Sequence, residues 1–116
     1  MIIKFKMIFV IGSDQSSLNI LRVLNYNCRP EKELLECVLT ICTRHTKKLV
    51  SASNLVELAD YLDNIKNKNL FCWFYILYNV FDVISNEYDI KFICHKNHIE
   101  SAKLAKEYYE KMIIGH

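Results

Sequence analysis

The chain has 116 residues, of which 52% are hydrophobic, and its 15 basic and 13 acidic residues leave a formal net charge of +2. This size and apolar content predict a single folded domain, residues 1–116, and argue against a disordered chain. The near balance of charges excludes a nucleic-acid interface driven by net charge alone. Five cysteines without CxxC spacing favour the reduced thiols of a cytoplasmic protein over a disulfide framework.

The first half of the chain predicts two strands and three helices. Residues 2–11 form a β-branched and aromatic run typical of a central strand, and residues 18–27 follow with apolar side chains at helical spacing. Pro30 opens a second helix that ends near Thr46. The segment Leu49 to Ala52 then predicts a second strand, and Asn54 to Ile65 a third helix.

The second half predicts a buried helix, a third strand and a last helix. Residues 70–84 are apolar on nearly all sides but fall short of the roughly 20 residues that span a bilayer, so we expect no membrane segment. Residues 88–94 read as a strand, and residues 99–113 as a helix with Gly115 as its C-cap. This order predicts a three-layer α/β/α fold with a small parallel sheet.

Two acidic residues follow the first two predicted strands. Because right-handed crossovers bring the carboxyl ends of parallel strands to one edge of a sheet, Asp14 and Glu57 should face the same crevice. With Ser16 as a weaker ligand, aided by Ser51 or Ser53, they could hold Mg²⁺ or Mn²⁺, which prefer carboxylate oxygens. A metal held there would activate water for hydrolysis of a phosphodiester.

The same residues also suit helix capping. Asp14 is placed to be the N-cap of the first helix, and Asn54 with Glu57 has the spacing of a capping box. Each cap would stabilise its helix by about 1 kcal/mol without any chemistry. The sequence leaves both interpretations of the two acids open.

The segments IFVIGSDQSSLNIL, KLVSASNLVELADYL and IKFICHKNHIESAKLAKEYYEKMIIGH resemble, in this order, a PIN domain of the VapC toxin ribonuclease type. Asp14 and Ser16 match the family's Asp-x-Asn/Ser motif, Glu57 matches its helical Glu, and residues 101–105 are similar to its late small-residue helix. The resemblance implies a PIN-like α/β domain, metal-dependent cleavage of single-stranded RNA and an antitoxin-like protein partner. The family's later acids have no counterpart before His116, so a degenerate relative that does not cut fits equally.

A second group of residues offers zinc ligands. Cys42 and His45, together with Cys94, His95 and His98, could supply the four ligands of a tetrahedral Zn²⁺ site if the end of the second helix met the turn after the third strand. The alternative is structural, because Cys42 and His45 lie on the helix face that is assigned to the core.

Aromatic residues are concentrated in two predicted helices. Those of residues 71–81 have the spacing of core packing, and any face left over would serve a homodimer. The last helix carries an aromatic and basic surface that could touch RNA, although a solvated face is the default: Lys103, Lys106, Tyr108, Tyr109 and Lys111.

An alternative to the α/β fold is a helical protein-interaction module. The apolar segments 18–24, 34–42, 55–62 and 70–80 could be paired helices of an armadillo-like repeat. This interpretation predicts a protein-binding adaptor without enzymatic activity or metal dependence.

Overall fold

The structure is a computed structural model, which describes residues 7–12, 14–87, 90–94 and 107. Its elements, in chain order, are β1 (Met7–Ile11), α1 (Ser17–Asn27), α2 (Glu31–Thr46), α3 (Leu55–Lys68), α4 (Leu70–Ser85) and β2 (Ile90–Cys94). The four helices confirm the four helices predicted between residues 18 and 84. Of the predicted last helix, only Glu107 is described, and it is helical; Gly115 lies outside the described residues.

The hydrophobic core is helical. Each helix contributes a buried apolar stripe, and α4 contributes the most, including the fully buried Trp73 and Phe74. Helix α1 packs against α3, α3 against α4, and α2 against α4, with smaller contacts between α1 and α2 and between α2 and α3. The four helices therefore share one core, in which α3 and α4 pack on each other, α1 lies on α3 and α2 lies on α4.

The two strands form one parallel ladder. β1 pairs with β2 in a register that places Phe9 opposite Phe92, and β2 packs against α4. Ile11, at the end of β1, is fully buried and joins the core cluster of the helices. The ladder therefore lies beside the helical core at α4.

The predicted three-layer α/β/α fold is wrong. Residues 49–52 form an irregular connection between α2 and α3, where Leu49 is 92% exposed and the Val50 N–H donates to Thr43 Oγ1 at 3.2 Å. Lys47, the C-cap that follows the last residue of α2, has a left-handed conformation (φ 59°), and this turn ends the helix before the connection to α3. Without the middle strand, the described residues hold no sheet that helices could cover on both faces, and the core is one of four helices.

Consecutive helices α3 and α4 are joined with almost no loop. Asn69 is both the C-cap of α3 and the N-cap of α4, where its side chain accepts the Cys72 N–H at 3.1 Å. Capping by asparagine is favourable because it satisfies one of the free N–H groups at a helix start. Among the described residues, no helix is both long enough and apolar enough to cross a membrane.

Candidate functional site

Glu57 completes a capping box at the start of α3. Its Oε2 atom accepts the Ser53 N–H at 2.8 Å, and its own N–H donates to Asn54 Oδ1 at 3.0 Å. The bond to Asn54 is the N-cap bond of the motif, while the Glu57 carboxylate reaches back to the N–H one residue before the N-cap rather than to that of Asn54 itself. The capping interpretation of Glu57 is therefore confirmed, and its carboxylate has a structural task whether or not it binds a metal.

Asp14 lies exposed in the turn between β1 and α1. It is not the N-cap of α1, as one interpretation predicted, because Ser16 holds that position and its Oγ accepts the Asn19 N–H at 3.1 Å. Within the described ranges, no group of three or more His, Cys, Asp or Glu is placed to hold a metal ion. The Mg²⁺ or Mn²⁺ site of Asp14, Glu57 and Ser16 stays a prediction.

His45 has a partner that the sequence did not suggest. Its Nε2 atom lies 2.9 Å from Sγ of Cys72, in the first turn of α4, and its ring lies 4.9 Å from that of Tyr75. Cys42, one turn before His45 on α2, is fully buried. Of the other predicted zinc ligands, the Cys94 side chain, His95 and His98 lie outside the described residues. No fixed spacing in the sequence links Cys72 to His45, so the sequence alone does not predict this pair.

Burial controls the charge states around this pair. It raises the pKa of Cys42 to about 12, with a smaller contribution from the neighbouring Cys72. It lowers the pKa of His45 below its ordinary value and raises the pKa of Tyr61 on α3. At neutral pH, Cys42 is therefore a thiol and the His45 imidazole is uncharged.

A buried polar network joins α1, α3 and α4. The Trp73 Nε1–H donates to Ser17 Oγ at 2.9 Å, and the Ser17 hydroxyl donates to Asp63 Oδ1 at 2.6 Å. The same carboxylate oxygen accepts the Ser17 N–H at 3.1 Å, at the start of α1. Lys66 Nζ donates to the Gln15 carbonyl at 2.8 Å and lies 5.0 Å from the centre of the Trp73 ring. The network attaches the first turn of α1 to α3 and α4.

The exposed face of α2 carries two depressions, one on each side of a ridge. The ridge consists of Glu36, Thr40 and Arg44, spaced by four residues, and these three residues line both depressions. The first has a volume of about 450 Å³ and lies against the end of α4; its other lining residues are Arg29, Glu33, Cys37, Ile41, Val83 and Glu87. The second, of about 620 Å³, is more apolar and is completed by Leu39, Thr43, Leu49 and Val50.

The aromatic helix has little free surface. Trp73, Phe74 and Phe81 of α4 are buried in the core, as predicted, and Phe71 is 43% exposed at the first turn. Most of the aromatic side chains of α4 are therefore buried within the chain and are not available to a dimer interface. Dimerisation stays a prediction. The predicted RNA-contacting residues of the last helix lie outside the described residues.

Comparisons of this chain with protein-family models, with curated proteins and with solved structures found no significant match. The α2 face is thus the candidate site on the strength of its own geometry.

Proposed function

We propose that the chain is a helical protein-binding module whose exposed α2 face docks a helix of a partner protein. The observation that carries this proposal is Leu49, a large apolar residue that is 92% exposed beside two depressions. Single exposed apolar residues are common on protein surfaces, but one at the rim of an apolar depression is typical of a binding surface.

The shape of the α2 face suits a helix. Residues at four-residue spacing form ridges on a helix, and a second helix packs by placing its own ridges in the grooves on either side. Glu36, Thr40 and Arg44 form such a ridge, and the depressions flank it as grooves. The face therefore has the form that two helices use when they pack together.

The two depressions favour different side chains. The one beside Leu49 and Val50 suits an apolar anchor of the partner. The other contains three glutamates, of which only Glu87 is neutralised, by Arg29 at 2.6 Å; in the described part of the chain, no ion pair neutralises Glu33 or Glu36. A lysine or arginine of the partner would complement them. The buried Arg29 Nε–H, which has no acceptor in the described structure, lines the same depression.

The helical core supports this class of function over the ribonuclease hypothesis. The core is built from helices, with α1 packed on α3, α3 on α4 and α2 on α4, as a helical interaction module requires, whereas the ribonuclease hypothesis implies a three-layer α/β/α fold. The ribonuclease hypothesis, with its RNA substrate and its antitoxin-like partner, rests only on the resemblance to the PIN domain.

A displayed library of helical peptides, selected against the whole chain, tests the proposal. We expect enriched peptides to carry an apolar anchor and a basic residue on the same helix face. Leu49→Glu should abolish their binding, because a charge would be buried at the anchor site.

The matched control is Tyr26→Glu, which places the same charge at a residue that is 89% exposed on α1, away from the proposed face. It should leave binding unchanged. Enriched peptides that bind both variants equally, or a selection without enrichment, would contradict the proposal.

A further inference from the structure

We propose that Cys72, paired with His45, is an oxidation site that reacts with hydroperoxides. The site is distinct from the α2 face and has no part in the docking proposal. Three features of the structure place a reactive thiol here: a neighbouring imidazole, a helix start and partial exposure.

The imidazole is within proton-transfer distance of the thiol. His45 Nε2 lies 2.9 Å from Cys72 Sγ, so the two atoms are within hydrogen-bond distance. The unprotonated nitrogen of an imidazole can accept a thiol proton at this distance. Paired thiol and imidazole groups are a recurring way to generate a nucleophilic thiolate.

The helix start adds a second source of stabilisation. Cys72 is the third residue of α4, whose N-terminal dipole favours negative charge in the first turn. Asn69 fixes this turn by accepting the Cys72 N–H at 3.1 Å. The Cys72 residue is therefore fixed in the first turn of α4, at the positive end of the helix dipole.

The other described cysteines lie outside the first turn of a helix, and in the described part of the chain no imidazole lies within hydrogen-bond distance of them. Cys42 is fully buried, and burial raises the pKa of its thiol to about 12. Cys28 and Cys37 are partly buried, and burial also raises their pKa values. Cys72 is partly exposed, as Cys28 and Cys37 are, so exposure alone does not distinguish these three cysteines. The chain thus supplies three internal reference thiols.

The reaction is a two-electron transfer to the peroxide. The Cys72 sulfur attacks the distal oxygen of ROOH, the O–O bond breaks, and a sulfenic acid forms on Cys72. The departing RO⁻ takes the proton held by His45 and leaves as ROH. Sulfur is oxidised and the peroxide oxygen reduced, so that Cys–SH and ROOH give Cys–SOH and ROH.

Site-resolved mass spectrometry of the intact chain tests the assignment. The protein is treated with limiting hydrogen peroxide in the presence of a sulfenic-acid trap, and each cysteine peptide is quantified over time. We expect Cys72 to be trapped first, at least about tenfold faster than Cys37, which corresponds to one pKa unit of thiolate stabilisation. Trapping of Cys72 no faster than that of Cys37 would overturn the proposal.

His45→Gln separates the role of the imidazole from simple exposure. The variant should slow trapping at Cys72 by roughly tenfold and leave the Cys37 rate unchanged. If the variant does not fold, the pH dependence of iodoacetamide labelling in the unaltered chain replaces it.

The Cys72 labelling rate should then reach its plateau at a lower pH than the Cys37 rate. In the described part of the chain, the titratable groups near Cys72 include Cys42 and His45 on α2 and Tyr61 on α3. Coincident pH profiles at the two cysteines would refute the pairing.

Discussion

Removal of one buried hydroxyl should cost more stability than any other single-atom deletion near the start of α1. Ser17 is fully buried, and its hydroxyl accepts from Trp73 and donates to Asp63. In Ser17→Ala, the indole N–H loses its acceptor in the core, which costs about 1–3 kcal/mol, and a charge-assisted hydrogen bond is also lost. We expect a total loss of about 2–4 kcal/mol in the free energy of unfolding.

Ser16→Ala is the matched control, because it removes the same atom from the neighbouring residue. Ser16 is exposed and caps α1 through one hydrogen bond to the Asn19 N–H, so its loss should cost about 1 kcal/mol. Urea unfolding followed by the fluorescence of Trp73, the only tryptophan of the chain, measures both variants. A loss in Ser17→Ala no greater than in Ser16→Ala would refute the reasoning.

A double-mutant cycle isolates the indole contribution. Trp73→Phe removes the N–H donor, so Ser17→Ala should cost less in that background than in the parent chain. We expect a coupling free energy of about 1–2 kcal/mol, measured by the circular dichroism of urea unfolding. Additive losses would show that the hydrogen bond from the indole N–H does not stabilise the fold.

Three further predictions concern charge and capping. Because burial lowers the pKa of His45, the unfolded chain binds more protons than the folded chain near pH 6.5. The free energy of unfolding should therefore fall as the pH drops through 6.5. Urea unfolding of His45→Gln should show a smaller decline over the same pH range. Asn54→Ala should cost about 1 kcal/mol of unfolding free energy, equally with and without Mn²⁺; a larger loss with Mn²⁺ would favour the metal hypothesis for Glu57. Glu87→Gln should lower the melting temperature, and added salt should shrink the difference from the parent, because the bond to Arg29 at 2.6 Å is an ion pair with an exposed partner.

The helices were predictable because local signals and burial agree. Leu55, Leu58 and Leu62 recur at helical spacing after Asn54, and the structure buries that same face. The continuous apolar run of α4 likewise predicted a helix deep in the core. In both cases the apolar residues form a helix surface whose burial stabilises the fold, so the spacing in the sequence predicts the buried face in the structure.

The polar contacts could not be predicted, since they join distant parts of the chain. Ser17 and Trp73 are 56 residues apart, and His45 and Cys72 are 27 residues apart. Neither pair has a spacing rule, because the distance between the partners is set by how α4 packs on α1 and α2. Ser16 and Ser17 are both serines at the start of α1, and nothing in the local sequence distinguishes the buried Ser17 from the exposed Ser16.

The false strand at residues 49–52 has a physical cause. A few apolar residues followed by small polar ones fit both a strand end and the approach to a helix N-cap, because both need an extended backbone before the first turn. Asn54 is extended (φ −157°, ψ 175°), as a residue in a strand would be, yet it belongs to the cap of α3. The neighbouring Leu49 distinguishes the two cases: a central strand would have buried it, whereas here it stands exposed at the rim of the α2 face. The residue that misled the strand prediction is thus the one that the proposed docking surface depends on, because an apolar side chain without a sheet to enter is free to contact a partner.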